Sequence, residues 1–221
     1  MAANLAELVE RAKITIVSGP FGAGKTNIAV NIALALAAKG QKCRVADLDI
    51  VNPYFRSADN AAMLALHGVE TLVPEFANTN VDIPALPLNY NRIFTGEGYS
   101  VCDVGGDADG AAVLGFSHRE YLAAGCAMYF VYNRFRPLTA APADALEMLR
   151  HIERVSGLEF RGIINNSNLG AETAAETVRE GLPYAQKLAE LSGLPLEITV
   201  APEWLKLPGT AAIKDMTKKL F

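Results

Sequence analysis

Residues Gly19-Pro20-Phe21-Gly22-Ala23-Gly24-Lys25-Thr26 constrain this chain more than any other stretch. They spell G-x-x-x-x-G-K-T, a phosphate-binding loop that requires a strand before it and a helix after it. Lys13 to Ser18 supplies the strand, with β-branched residues on both faces. Asn27 to Lys39 supplies the helix, rich in Ala, Leu and Ile and stopped at Gly40. Glycines let the loop curl so that successive N–H groups point inward at phosphate oxygens. The helix N-terminus adds partial positive charge. Lys25 then reaches the β- and γ-phosphates, and the Thr26 hydroxyl takes a place on Mg²⁺.

Acids at strand ends complete this reading. Lys42 to Asp47 is the second strand, and Asp47-Leu48-Asp49 places two carboxylates two residues apart at its end. In an open α/β sheet, ligands bind beyond the carboxyl ends of the strands. Both acids can therefore face the site of Lys25, one near Mg²⁺ and the other orienting a water. Tyr99 to Asp103 is a further strand ending in an acid. The run Asp103-Val104-Gly105-Gly106 then gives D-x-x-G, in which Asp103 serves Mg²⁺ and the Gly106 N–H senses the γ-phosphate. Asp107 and Asp109 read as N-caps of a helix from Ala111 to Ala124.

Later strands carry amides and arginines. Ala127 to Tyr132 runs into Asn133-Arg134-Phe135-Arg136, whose arginines can touch phosphate, a partner or solvent. A helix capped by Thr139 extends to Ser156. Phe160 to Asn166 is a strand, and an amide at its end suits the adenine edge because Asn both donates and accepts. The N-K-x-D run of GTPases does not occur there. Residues 171 to 191 read as one or two helices, interrupted near Gly181-Leu182-Pro183. After a last strand, Leu196 to Val200, the run Ala201-Pro202-Glu203-Trp204 can flank the base.

The remaining stretches name less chemistry. Residues 4 to 11 form a short amphipathic helix. Ser57 to His67 is a helix capped by Ser57, and His67 is structural. Val69 to Val73 is a short strand, and Pro74 to Leu88 is a proline-containing loop suited to a lid or a partner. Residues 210 to 221 form an amphipathic C-terminal helix that docks on its own domain rather than on a membrane.

At 221 residues the chain makes one α/β domain. A net charge of −4 argues against general nucleic-acid binding. Cys43, Cys102 and Cys126 form no C-x-x-C pair and read as buried thiols. Residues 5 to 11 are too short and acidic for a signal peptide, and no stretch is apolar enough to span a bilayer, so the expected location is the cytoplasm.

The P-loop, the Asp-x-Asp, the D-x-x-G and a strand-end Asn, in this order, resemble the Min/Par/cobyrinic-acid-synthase group of P-loop ATPases, of the SIMIBI class. The resemblance extends from Lys13 to Trp204. It implies a three-layer α/β fold, with a mainly parallel sheet and helices on both faces. It implies ATP and Mg²⁺ as ligands, bound by Gly19, Gly22, Ala23, Gly24, Lys25, Thr26 and Asn27. Asp49 matches the acid that positions the attacking water, Asp47 and Asp103 match acids near the metal, and Asn166, or else Asn165, matches the adenine-binding amide. The implied activity is a slow ATPase that acts as a nucleotide switch for a protein partner, with a homodimer possible. The alternative is a biosynthetic enzyme that activates a small carboxylate, as dethiobiotin synthetase does. The sequence departs from the group at Pro20, where the partitioning and division-site members carry a lysine that reaches the partner subunit's nucleotide. Arg56 or Arg134 is available to replace it. The cysteine pair of the iron–sulfur carrier ATPases is missing.

Overall fold

The computed structural model describes residues 5–49, 61–72, 89–106 and 108–216. In chain order its regular elements are α1 (Leu5–Val9), β1 (Ile14–Ser18), α2 (Lys25–Ala38), β2 (Cys43–Asp47), α3 (Ala61–Leu66) and β3 (Glu70–Leu72). There follow α4 (Arg92–Thr95), β4 (Tyr99–Asp103), α5 (Ala108–Phe116), α6 (His118–Ala124), β5 (Cys126–Tyr132) and α7 (Pro142–Ser156). The chain continues through β6 (Phe160–Asn165), α8 (Ala175–Ser192), β7 (Leu196–Pro202) and β8 (Ala211–Ile213). Short 3-10 turns occupy Pro137–Thr139, Gly170–Glu172 and Glu203–Leu205.

The strands form one eight-stranded sheet in the order β3-β2-β4-β1-β5-β6-β7-β8. Every pairing among the described residues is parallel. A parallel sheet must be covered on both faces, and side chains alternate along each strand to fill two cores. Val17, Tyr129 and Val131 point towards Ile28, Ile32 and Leu36 of α2. Ile16, Met128 and Phe130 point the other way, towards Leu114 of α5, Leu149 and Ile152 of α7 and Leu188 of α8. The chain leaves β1 for β2 on one side of the sheet and leaves β4 for β5 on the other. Right-handed crossovers in opposite directions put their helices on opposite faces. They also open a crevice at the carboxyl ends of β1 and β4.

Several sequence expectations are corrected. The helix expected over Ala111–Ala124 is two, α5 and α6, separated at Ser117, whose N–H turns back to Leu114. Thr139 does not cap α7: it ends a 3-10 turn, and the helix starts at Pro142. Proline suits a first helical turn because its missing N–H has no partner there anyway. Helix α8 runs unbroken through Pro183. A proline inside a helix costs about 3 kcal/mol in isolation, and burial of Val178, Ala185 and Leu188 against the sheet offsets it. Ser57, Val73, Asp107 and the 74–88 loop lie outside the described residues.

The C-terminal segment is the largest correction. Residues 211–213 form β8, not the start of a helix. Their burial alternates, with Ala211 and Ile213 inside and Ala212 outside, which is a strand period. Two asparagines one turn apart on α2 anchor the residues after β8. Asn31 exchanges hydrogen bonds with the backbone of Lys214, its Nδ2 donating at 2.9 Å and its Oδ1 accepting at 2.9 Å. Asn27 Oδ1 accepts from the Met216 N–H at 2.8 Å. The segment therefore docks on its own domain, across the first turns of the helix that extends from the P-loop. Removing the Asn31 amide should cost about 1–2 kcal/mol locally. For Asn31→Ala we expect hydrogen exchange at 211–216 to accelerate roughly tenfold or more while β1, β4 and β5 keep their protection.

Candidate functional site

The loop between β1 and α2 is held by its own backbone and by the neighbouring strand ends. Ala23 N–H and Lys25 Nζ both donate to the Pro20 carbonyl, at 3.1 Å and 3.2 Å. Gly24 sits at φ 89°, a left-handed conformation, and a side chain there would strike the Asn166 amide. Gly106 packs so closely on the Gly19 carbonyl that a Cβ would overlap it. These contacts explain glycine at both positions by close approach. They also put the D-x-x-G segment directly on the P-loop.

The acids lie where the strands end. Asp47 and Asp103 are adjacent in register on β2 and β4. Thr26 Oγ1 donates to Asp103 Oδ2 at 2.5 Å, joining α2 to β4. Asp103 is fully buried, and its Oδ1 has no hydrogen-bond partner among the described residues. Burial, with a smaller contribution from Asp49, raises its pKa to about 7 against the opposing pull of Lys25 and the Thr26 bond. Asp47 is buried as well, and its Oδ1 accepts the Asp49 N–H at 3.2 Å. This bond positions Asp49 at the cavity wall.

That cavity has a volume of about 280 Å³. Lys25, Thr26, Asn27 and Asp49 line one part, and Asn166, Asn168, Pro202 and Trp204 line another. The structure thus brings the P-loop, the second acid of Asp-x-Asp, one strand-end amide and the loop after β7 into one space. It separates the two asparagines. Asn166 faces the cavity and its Nδ2 donates to the Ala23 carbonyl at 2.7 Å. The Asn165 side chain is fully buried and accepts from the Ser167 hydroxyl at 2.7 Å and from its N–H at 3.2 Å. Gly106 lies outside the cavity lining and borders a separate groove with Leu138 and His151.

The donor set fits a hard divalent cation. A threonine hydroxyl and a buried carboxylate with an unused oxygen are oxygen ligands of the kind Mg²⁺ takes alongside phosphate and water. The thiols stay outside this chemistry. Burial pushes Cys102 up to about 12 and raises Cys43 and Cys126, so none is a ready thiolate.

Three further lining residues went unread in the sequence. Ile213 and Asp215 arrive with the C-terminal strand, and Gly170 with the 3-10 turn after β6. No motif marks them, and only the pairing of β8 with β7 brings the first two here. Arg136 also lines the cavity, whereas Arg134 turns to α8. The Arg134 guanidinium lies 3.9 Å from the Tyr184 ring centroid and donates to the Tyr184 hydroxyl at 3.2 Å. Arg134 therefore lies against α8 and outside the cavity lining, and Arg56 lies outside the described residues.

The Asp103 shift has a defined sign. Between its ordinary value of 3.8 and about 7, the folded chain keeps a proton that the unfolded chain has lost. Stability of the ligand-free protein then falls as pH rises through this window, by up to about 1.4 kcal/mol per pH unit, and levels off above it. Asp103→Asn, which can still accept from Thr26, should flatten this slope in denaturant titrations. An unchanged slope would place the titrating group elsewhere.

Comparison with known proteins adds a family model described as ParA: NUBPL iron-transfer P-loop NTPase, which matches residues 10–83, a third of the chain. No curated protein matches the sequence. Among solved structures, FtsY from Mycoplasma mycoides is 15% identical with a TM-score of 0.55, over 87% of this chain and 61% of that one. Chloroplast FtsY from Physcomitrella patens is 16% identical with a TM-score of 0.56, over 88% and 64%. The signal recognition particle 54 kDa protein from Aeropyrum pernix K1, solved with GDP, is 16% identical with a TM-score of 0.53, over 88% of this chain and 45% of that one. The chain thus spans less than two thirds of each of these three proteins, and at such identities the likeness speaks for the fold. The parallel sheet, the phosphate loop and the strand-end acids, with these matches, give the chain the α/β fold of P-loop NTPases.

Proposed function

We propose that the chain binds ATP with Mg²⁺, hydrolyses it slowly, and acts as a nucleotide-dependent switch read by a partner protein. The observation that carries this reading is the meeting of Lys25, Thr26 and Asp49 at one cavity, with Thr26 bonded to the buried Asp103. Lys25 leaves the Pro20 carbonyl for the phosphates. The Thr26 hydroxyl and Asp103 would hold Mg²⁺, with Asp47 beside them, and the ion would neutralise phosphate charge. Asp49, held by its N–H on Asp47, orients the attacking water. The Asn166 amide is assigned to the adenine edge: one Nδ2 hydrogen is held by the Ala23 carbonyl, and Oδ1 can accept from the exocyclic amine. Pro202 and Trp204 offer apolar surface to the base. The partner would read segments that respond to the γ-phosphate around Asp49 and Gly106.

A second reading draws on the groove beside Gly106. Its lining includes His151 and Arg154, beside Asp144, Glu147 and an Arg150 paired with Glu153, and on this reading His151 and Arg154 receive a small carboxylate for activation by ATP. Turnover would then be low alone and rise steeply with a specific small acid. A screen of short mono- and dicarboxylates that leaves turnover flat removes this reading.

Trp204 is the only tryptophan and lines the cavity, so its emission reports occupancy. We expect ATP with Mg²⁺ to change it saturably. GTP should bind about tenfold more weakly or worse, and Lys25→Ala should weaken ATP by about tenfold or more. A folded wild type that binds neither nucleotide overturns the proposal, and tighter GTP binding overturns its ATP half. Asp49→Asn should retain ATP affinity and lose most turnover in a phosphate-release assay. Unchanged turnover would remove Asp49 from its role.

A further inference from the structure

We propose that Arg136 is the second phosphate-binding cation of this site, supplied by the same chain in place of the lysine missing at position 20. The inference rests on the nucleotide-binding reading above and assigns a residue to it.

Three independent observations converge on Arg136. The first is its position. A Cβ built on Gly22 would lie 3.2 Å from Arg136 Nε and 3.4 Å from its Cδ and Cζ, so the guanidinium stem lies along the P-loop. Arg136 shares the cavity with Gly22, Gly24, Lys25 and Thr26. The second is its hydrogen bonding. Arg136 Nε is buried and has no hydrogen-bond partner among the described residues. An inward-facing guanidinium without a carboxylate on that nitrogen fits a phosphate, which takes arginine's planar fork in two parallel bonds.

The third observation is the support beneath it. Asn133 is fully buried at the end of β5, and its Oδ1 accepts from the N–H groups of Phe135 at 3.0 Å and Asn168 at 3.3 Å. Its Nδ2 donates to the Asn168 carbonyl at 3.1 Å. Its own carbonyl accepts from Arg136 N–H at 3.2 Å and from the Thr139 hydroxyl at 3.3 Å. The loop carrying Arg136 is thereby fixed to both the β5 and β6 ends, and the cation is held before any ligand arrives.

The electrostatics favour such a group. Asp47, Asp49 and Asp103 gather at this end of the sheet, and Lys25 is the cation that the motif itself provides. A triphosphate adds several negative charges to this cluster. Pro20 can offer none of the compensation that a lysine would give, and its ring constrains the loop instead. Arg136 approaches from the end of the neighbouring strand β5 and restores that charge within one chain. The motif lysine reaches the β- and γ-phosphates, and Arg136 shares its cavity, so Arg136 is assigned to the terminal-phosphate end.

The test compares wild type, Arg136→Ala, Arg136→Lys and, as a control, Arg134→Ala, each checked for folding by circular dichroism. ATP and ADP affinities are read from Trp204 emission, and turnover per chain is measured across a series of protein concentrations. We expect Arg136→Ala to lower the ATP-over-ADP preference by about tenfold, the scale of one charge-assisted contact. Arg136→Lys should recover part of it, and Arg134→Ala none of the loss. Wild-type turnover per chain should not depend on protein concentration. An ATP-over-ADP preference untouched by Arg136→Ala overturns the inference, as does loss of both nucleotides by the same factor. Turnover that rises with concentration and survives in Arg136→Ala would assign the second cation to another copy and also overturn it. Absence of any nucleotide binding by wild type would instead overturn the function proposed above.

Discussion

The hydrogen bond from Thr26 to Asp103 joins the two halves of this molecule's chemistry. Thr26 belongs to the first turn of α2, and Asp103 ends the strand beside β1. The carboxylate is buried, so it is costly as an anion unless something positive arrives, and one of its oxygens has no protein partner among the described residues. The resting protein therefore holds a buried acid whose electrostatics improve when a cation binds. Strain of this kind is tolerated because the surrounding parallel strands fix both partners. Leu48 N–H bonds to the Asp103 carbonyl at 2.8 Å, and Val104 N–H bonds to the Val17 carbonyl at 3.1 Å, tying the ends of β1, β2 and β4 together.

From that bond outward, the site is an arrangement of strand ends. The strand β1 carries the P-loop, β2 the acids at 47 and 49, and β4 the acid at 103. The strand β5 carries the arginine loop, β6 the amide, and β7 the Pro202–Trp204 wall. Each contributes at its carboxyl end because every described pairing is parallel. An antiparallel partner would send its end to the other side of the sheet. The C-terminal strand extends the same rule, with β8 pairing on β7 and delivering Ile213 and Asp215 to the cavity rim. Asn27 and Asn31 then tie the last described residues to the helix that bears Thr26. Thr26 and Asn27 are neighbours in the first turn of α2, so the cavity and this segment are held by the same helix end.

The parts of the fold that were legible in the sequence share a property: their signal is local. The P-loop fixes its own turn through glycines, and β-branched runs ending in Asp give strands with acids at their ends. Misread elements are those where distant packing outweighs local preference. Pro183 should break a helix, yet α8 continues because its buried face is anchored to the sheet. Residues 211–213 show apolar spacing compatible with a helix, yet β7 offers an open edge that converts them to a strand. Arg134 and Arg136 are chemically alike and two residues apart, and groups on α8, the Tyr184 ring and Glu180, draw one of them away from the cavity.

The sequence by itself determined that this chain builds a phosphate cradle on a parallel α/β sheet, because glycines, lysine, threonine and strand-end acids act through spacing that the backbone preserves. It also determined that position 20 offers no charge, since proline has none. The tertiary structure alone decided which residues complete the site. Asn166 rather than Asn165 faces the cavity, Arg136 rather than Arg134 lies along the P-loop, and a C-terminal strand closes one rim. Those choices depend on strand register and on side chains contributed by elements far apart in the chain. No local pattern encodes which way such a side chain turns until its neighbours are in place.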